Sequence, residues 1–171
     1  MHIVLFAPEI PQNTGNIART CAATGCDLTL VEPLGFSLSD KYLKRAGMDY
    51  FSMVEISVAS DFGQVLRQFD GCSFYFATTK APRAYSQVRY APDDVLVFGS
   101  ESRGLPENLL SRRYGDCVRI PMRAEARSLN LAVSVAVVVF EALRQQGFAG
   151  LAEAGALTGR SEDSAPWMDL L

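Results

Sequence analysis

The 171-residue sequence holds a single histidine, His2, at the mouth of an apolar N-terminal run. Hydrolases on the Ser–His or Cys–His plan need a histidine base, and most catalytic zinc sites use histidine ligands. Neither chemistry is expected. The four cysteines, Cys21, Cys26, Cys72 and Cys117, form no CxxC pair. Their sparse spacing argues against a disulfide scaffold or a structural zinc site and predicts reduced, mostly buried thiols. No GxxxxGK[ST] occurs and no GxGxxG follows the first apolar run, so neither a P-loop ATPase nor an ordinary dinucleotide-binding unit is indicated. The longest uncharged stretch, Ser128 to Phe140, is shorter than the roughly 20 apolar residues a membrane span needs. The N-terminus shows no basic region and no small-residue cleavage site, which predicts a soluble, cytoplasmic protein.

What is present is a normal globular balance: 49% hydrophobic residues, 20% charged residues and a mean hydropathy of +0.09. The length suits one domain with a self-sufficient core. Net charge is −3, but it is unevenly spread. Residues 1–79 carry eight acids and five bases, whereas residues 80–127 carry nine bases and six acids. Most bases of that middle segment are arginine, which suits forked contacts with phosphate. A basic stretch is also compatible with a merely solvated face.

Strand and helix patterns alternate along the chain. His2–Phe6 is a continuous apolar run, the mark of a strand covered on both faces. Two prolines make Ala7–Asn13 a loop, after which a helix runs to a glycine stop at Gly25. Leu28–Val31 reads as a strand, Asp40 as the cap of a short helix through Ala46, and Tyr50–Ile56 as a third extended piece. Asp61 caps a helix through Phe69, and Ser73–Ala77 and Val95–Phe98 are strands. A short helix over Glu107–Leu110, a strand at Val118–Ile120 and a buried helix over Leu129–Gln146 complete the pattern. The expected fold is α/β: a single domain, a mostly parallel sheet and helices on both faces. Residues 1–150 form that domain, and residues 151–171 read as an acidic, weakly ordered tail with an isolated Trp167.

Ligands of such sheets sit beyond the carboxyl ends of the strands. Three polar loops qualify: Ala7–Asn16, Gly99–Pro106 and Pro121–Asn130. In the first, Asn13 to Arg19 spans a helix entrance, with Arg19 on its first or second turn, a potential anion site or a plain cap. The second mimics a nucleophile elbow around Ser102 but lacks G-x-S-x-G and a histidine. In the third, Ser128 caps the last helix and Asn130 lies one turn inside. The residues alone reach a polar site beside a basic surface, and no reaction.

Together the three loops resemble the SPOUT superfamily of RNA methyltransferases. The resemblance rests on Asn13-Thr14-Gly15-Asn16-Ile17-Ala18-Arg19-Thr20, on Phe98-Gly99-Ser100-Glu101-Ser102-Arg103-Gly104-Leu105-Pro106, and on Ile120-Pro121-Met122 with Arg127-Ser128-Leu129-Asn130-Leu131. Glu9-Ile10-Pro11, Glu32 to Phe36, Arg45 to Tyr50 and Thr78-Thr79-Lys80 support it, and it spans roughly residues 1–150. It is nearest to the compact TrmL-type enzymes that methylate the ribose 2'-hydroxyl at the tRNA wobble position, cytidine or uridine.

The resemblance implies a C-terminal deep trefoil knot, an exception to unthreaded chains, and a homodimer that uses S-adenosylmethionine without metal and binds the tRNA anticodon loop. It implies cofactor contacts near Ala77, Gly99, Ile120, Met122, Ser128 and Leu129. It assigns the 2'-hydroxyl to Arg19, positioning of Arg19 or the substrate to Asn13, fixation of the loop and of Arg19 to Glu101, and completion of the site to Ser128 and Asn130. Lys80, Arg103 and Arg127 would hold phosphates. Two departures stand out: Ala132-Val133 where relatives favour Ser-Asn, and Ser100 where proline is common. Alternatives are methylation of another tRNA or rRNA ribose, a non-catalytic RNA-binding knot protein, and a small-molecule α/β enzyme.

Overall fold

A computed structural model describes residues 1–38, Tyr50 and residues 53–157. Six strands, β1 (His2–Phe6), β2 (Asp27–Val31), β3 (Ile56–Ala59), β4 (Phe74–Ala77), β5 (Val95–Phe98) and β6 (Cys117–Val118), form one sheet in the order β3-β2-β1-β5-β4-β6. Every pairing is parallel. Four α-helices among the described residues accompany it: α1 (Pro11–Thr24), α2 (Phe62–Gln68), α3 (Glu107–Arg112) and α4 (Leu131–Gln145).

Alternating strand residues divide between two apolar layers, as a two-faced parallel sheet requires. Ile3, Leu5, Leu28, Leu30, Leu96 and Phe98 pack on one face against Ile17 and Cys21 of α1 and Val135, Val138 and Val139 of α4. Val4, Phe74, Phe76, Val95 and Val97 pack on the other against Val65 of α2 and Leu110 of α3. Each fully buried aliphatic side chain contributes about 1.5–3 kcal/mol. Helices on both faces agree with the sequence expectation. Cys21, Cys26 and Cys117 are buried and Cys72 half-buried, all as free thiols. Burial pushes the Cys21 thiol well above its ordinary range, so it stays protonated. No described helix is long and apolar enough to cross a membrane.

The register Leu5↔Phe98 places β1 beside β5 at the centre. From there the chain builds outward in opposite directions, through β2 and β3 on one side and β4 and β6 on the other. The loops after β1 and β5 therefore diverge from neighbouring strand ends, where open parallel sheets bind ligands.

Several boundaries differ from expectation. Helix α1 begins at Pro11 inside the expected loop, because a proline at the first helical position gives up an N–H that has no helical partner anyway. Arg19 consequently lies on the third turn. β3 starts at Ile56, the last residue of the expected Tyr50–Ile56 strand. β6 ends at Val118, and Arg119 makes only an isolated bridge to Ala84. The cap of α4 is Asn130, not Ser128: Asn130 Oδ1 accepts from Ala132 N at 2.9 Å and Val133 N at 3.3 Å. Asp61 does cap α2, accepting from Gln64 N at 2.9 Å. The Asp40–Ala46 helix, the Arg45–Asp49 part of the supporting stretch and Trp167 lie outside the described residues.

Candidate functional site

A cleft of about 550 Å³ opens beyond the carboxyl ends of β4, β5 and β6, with the start of α4 as its fourth wall. All six residues expected at the cofactor, Ala77, Gly99, Ile120, Met122, Ser128 and Leu129, line it. Asn13, Glu101 and Asn130 line it too, with Lys80, Arg103 and Arg127 as exposed cations on its walls. Leu105 and Leu131, from the quoted motifs, make an apolar wall with Leu110 and Val138, which no motif had indicated. The β5 loop turns back on itself tightly: a Cβ on Gly99 would stand 2.1 Å from the Gly104 carbonyl carbon and 2.2 Å from Leu105 N. Only glycine fits there.

A directed chain of hydrogen bonds ties three loops together at the mouth. Asn130 Oδ1 is committed to two backbone N–H groups, so its Nδ2 must be the donor to Asn13 Oδ1, at 2.9 Å. The Asn13 Nδ2 in turn donates to Glu101 Oε1 at 2.9 Å. Glu101 also accepts from Glu9 N at 2.8 Å and Ile10 N at 3.3 Å. Helix α1 has no side-chain cap of its own at Ile10, so a carboxylate from the β5 loop supplies negative charge at its start. Asn13 is only 6% exposed, and both polar atoms of its amide are hydrogen-bonded.

A second clasp runs in the opposite direction. The Glu9 carboxylate accepts from Ser102 N at 3.1 Å and Ser102 Oγ at 2.6 Å. The Ser102 hydroxyl holds the Glu9 carboxyl below its ordinary range. Ser102 is thus a loop fastener and no nucleophile. Sequence reading missed this pair; its one signal was the position of Glu9 just beyond β1.

The cations differ among themselves. Lys80 Nζ is paired with Glu107, holding that carboxyl below its usual range. Such exposed pairs are worth about 0–1 kcal/mol, so Lys80 is readily released. Arg103 and Arg127 form no ion pair among the described residues. Arg19 is not in the cleft. It follows Asn13 by six residues, roughly 240° around the helix, and its guanidinium lies 4.8 Å over the Tyr50 ring. Neither Asn13 nor Glu101 touches it through a hydrogen bond. Ser128 lines the cleft without capping a helix. No cluster of metal-ligating side chains occurs among the described residues.

Comparison with known proteins bears on this geometry. A sequence profile described as the SpoU rRNA Methylase family matches residues 1–140. A tRNA (cytidine(34)-2'-O)-methyltransferase of Yersinia pestis is 46% identical over 156 residues, covering 88% of this chain and 96% of the relative. A solved structure described as "Structural insights into the 2-OH methylation of C/U34 on tRNA" superposes with a TM-score of 0.82 at 45% identity, covering 85% of this chain and 95% of that one. An AdoMet-bound rRNA methyltransferase from Sinorhizobium meliloti gives 0.71 at 31% identity, over 84% of this chain and 55% of that one. A profile match over most of the length, joined to relatives near half identity, establishes that this chain belongs to the SpoU rRNA methylase family.

Proposed function

We propose that this protein transfers a methyl group from S-adenosylmethionine to the ribose 2'-hydroxyl of tRNA nucleotide 34, cytidine or uridine. The observation that carries the reading is the cleft itself. Three polar loops far apart in sequence meet there through the Asn130–Asn13–Glu101 chain, beside the exposed cations Arg103 and Arg127. The Yersinia pestis relative and the structure concerned with C/U34 support the nucleotide.

The walls suit the cofactor. Leu105, Leu110, Leu131 and Val138 suit an adenine face, and the strand-end backbone at Ala77, Gly99, Ile120 and Met122 suits its polar edges. Ser128 and Leu129 close the pocket over it. When bound, S-adenosylmethionine supplies an electrophilic methyl on a sulfonium centre. Arg19 orients the ribose hydroxyl and lowers its pKa; a guanidinium stays protonated and serves poorly as a base. Asn13, Glu101 and Asn130 hold the loops in register. Lys80, Arg103 and Arg127 engage phosphates.

Arg19 projects away from the cleft of its own chain, so a second copy completes the site. Val133 and Phe140, seven residues apart on one face of α4, are 48% and 46% exposed and offer an apolar seam for a homodimer. A C-terminal deep trefoil knot belongs to the same reading. So do a cytoplasmic location, residues 1–150 as the enzyme domain and residues 151–171 as its tail.

Purified protein incubated with labelled S-adenosylmethionine and total tRNA from a strain lacking the gene tests this directly. Nuclease digestion and mass spectrometry should find a 2'-O-methyl at nucleotide 34, absent with Arg19→Ala. A methyl elsewhere in tRNA or in rRNA moves the substrate. No transfer despite cofactor binding leaves a non-catalytic RNA-binding protein.

A further inference from the structure

The Asn13 chain accounts for Glu101 but leaves the Glu9–Ser102 clasp without a role. Those residues are 93 positions apart and meet only because β1 and β5 are neighbours. The two clasps are reciprocal. Glu101 reaches across to the backbone N–H of Glu9, and Glu9 reaches back to the backbone N–H and hydroxyl of the next residue, Ser102. A loop held by one hydrogen-bonded point can pivot; one held from both sides cannot.

The base of this arm is also fixed. A Cβ on Gly35 would stand 2.7 Å from Glu9 Cα and 2.9 Å from Glu9 O. Gly35 N donates to Pro8 O at 2.9 Å. The main chain at residues 8 and 9 is therefore wedged between the loop after β2 and the loop after β5. On the far side of the clasp, the segment from Gly99 to Gly104 is a wall of the cleft. Arg103 N lies 3.3 Å from Ser100 Oγ, so the arginine leaves the same compact turn that Glu9 grips.

We infer that Glu9 is a positioning residue, whose carboxylate locks the Gly99–Gly104 wall in the pose that receives the cofactor. The inference rests on the proposed S-adenosylmethionine site and names the residue that shapes one side of it. Glu9 touches no reacting group. It acts through Ser102, whose hydroxyl lowers the Glu9 pKa and so keeps the carboxylate ionised and the clasp closed at neutral pH.

Calorimetric titration of the full chain with S-adenosylmethionine and with S-adenosylhomocysteine tests it, alongside melting of each ligand-free variant. Glu9→Ala is expected to weaken both ligands about tenfold, the low end of what one charge-assisted hydrogen bond gives. Ser102→Ala should lose less, about threefold, because the backbone N–H still reaches the carboxylate. The double variant should bind no more weakly than Glu9→Ala, since that change already removes everything the serine hydroxyl did. Glu9→Gln keeps an acceptor oxygen and should recover most of the affinity. Melting temperatures should stay close to wild type, which separates positioning from a general loss of structure.

Glu9→Ala binding as tightly as wild type overturns the inference, and so do additive losses in the double variant. If Glu9→Ala does not fold, Glu9→Gln with Ser102→Ala decides instead: equal wild-type affinity in both overturns it. Failure of the wild-type protein to bind either ligand sinks the proposed function and this inference together. Tight wild-type binding with an indifferent Glu9 sinks the inference alone.

Discussion

Two stretches of α1 separated by six residues are built on opposite principles. Asn13, at the start, is buried and spends every polar atom on the chain's own loops. Arg19, on the third turn, is exposed, with its guanidinium over the Tyr50 ring. A polar group fully satisfied within one chain is placed by folding, with its rotamer and its direction decided before any ligand arrives. A cation resting on an aromatic face at the surface is placed by whatever comes next. On the proposed function, the cofactor half of the site is complete in one chain, while the half facing the acceptor waits for RNA and a second copy.

Arg19→Ala should break the two halves apart most cleanly. Methyl transfer is expected to fall about 10²–10³-fold, as for loss of one group that stabilises developing oxyanion charge. Cofactor affinity, measured by calorimetry, should not change. A parallel drop in cofactor binding would place Arg19 inside the cleft and erase the contrast. Arg19→Lys should not rescue, because an ammonium lacks the planar fork that can hold an oxygen and a phosphate together.

Asn13→Ala attacks the satisfied half. It removes two hydrogen bonds at once, one of them to the Glu101 carboxylate, so folding stability should drop by about 1–3 kcal/mol. Denaturant unfolding would show this as a lower midpoint at constant slope. An unchanged midpoint would mean the chain of amides is incidental.

The contrast also explains what could be read from residues alone. β1 and β5 were evident because strands covered on both faces are apolar without interruption. The Asp61 cap was evident because it is local. Pro11 misled, since proline breaks a helix inside and begins one at its end. Ser128 misled because serine and asparagine both cap, and only backbone direction at Asn130 decides between them. Most of the polar cleft residues came from short motifs whose chemistry the residues could not state until the family resemblance was drawn, while Leu110 and Val138 belonged to none. The Glu9–Ser102 clasp lay beyond that reach, being a product of strand order.

A smaller effect separates the cations. Arg127→Ala should weaken tRNA binding and lower the slope of log affinity against log salt by about 0.7–0.9, the share of one phosphate contact. Lys80→Ala should lower it less, because Lys80 gives up the Glu107 carboxylate in exchange. Equal slopes for the two variants would show that the pair is already open in solution.

The smallest effect lies at the far end of α4, away from the clasp at its start. There the Glu141 carboxylate accepts from Arg144 Nε at 2.7 Å and Gln145 Nε2 at 2.9 Å, and its pKa falls from about 4.5 to about 2. The folded pKa is below the unfolded one, so the stabilisation is full above pH 4.5 and is lost as pH falls toward 2. Solvent screening keeps it to about 1 kcal/mol or less. Glu141→Gln should therefore leave the melting temperature at pH 7 nearly unchanged and flatten its decline below pH 4.5. At pH 7 the variant should bind cofactor like wild type, because this end of α4 shares no hydrogen bond with the loops that Asn130 fastens.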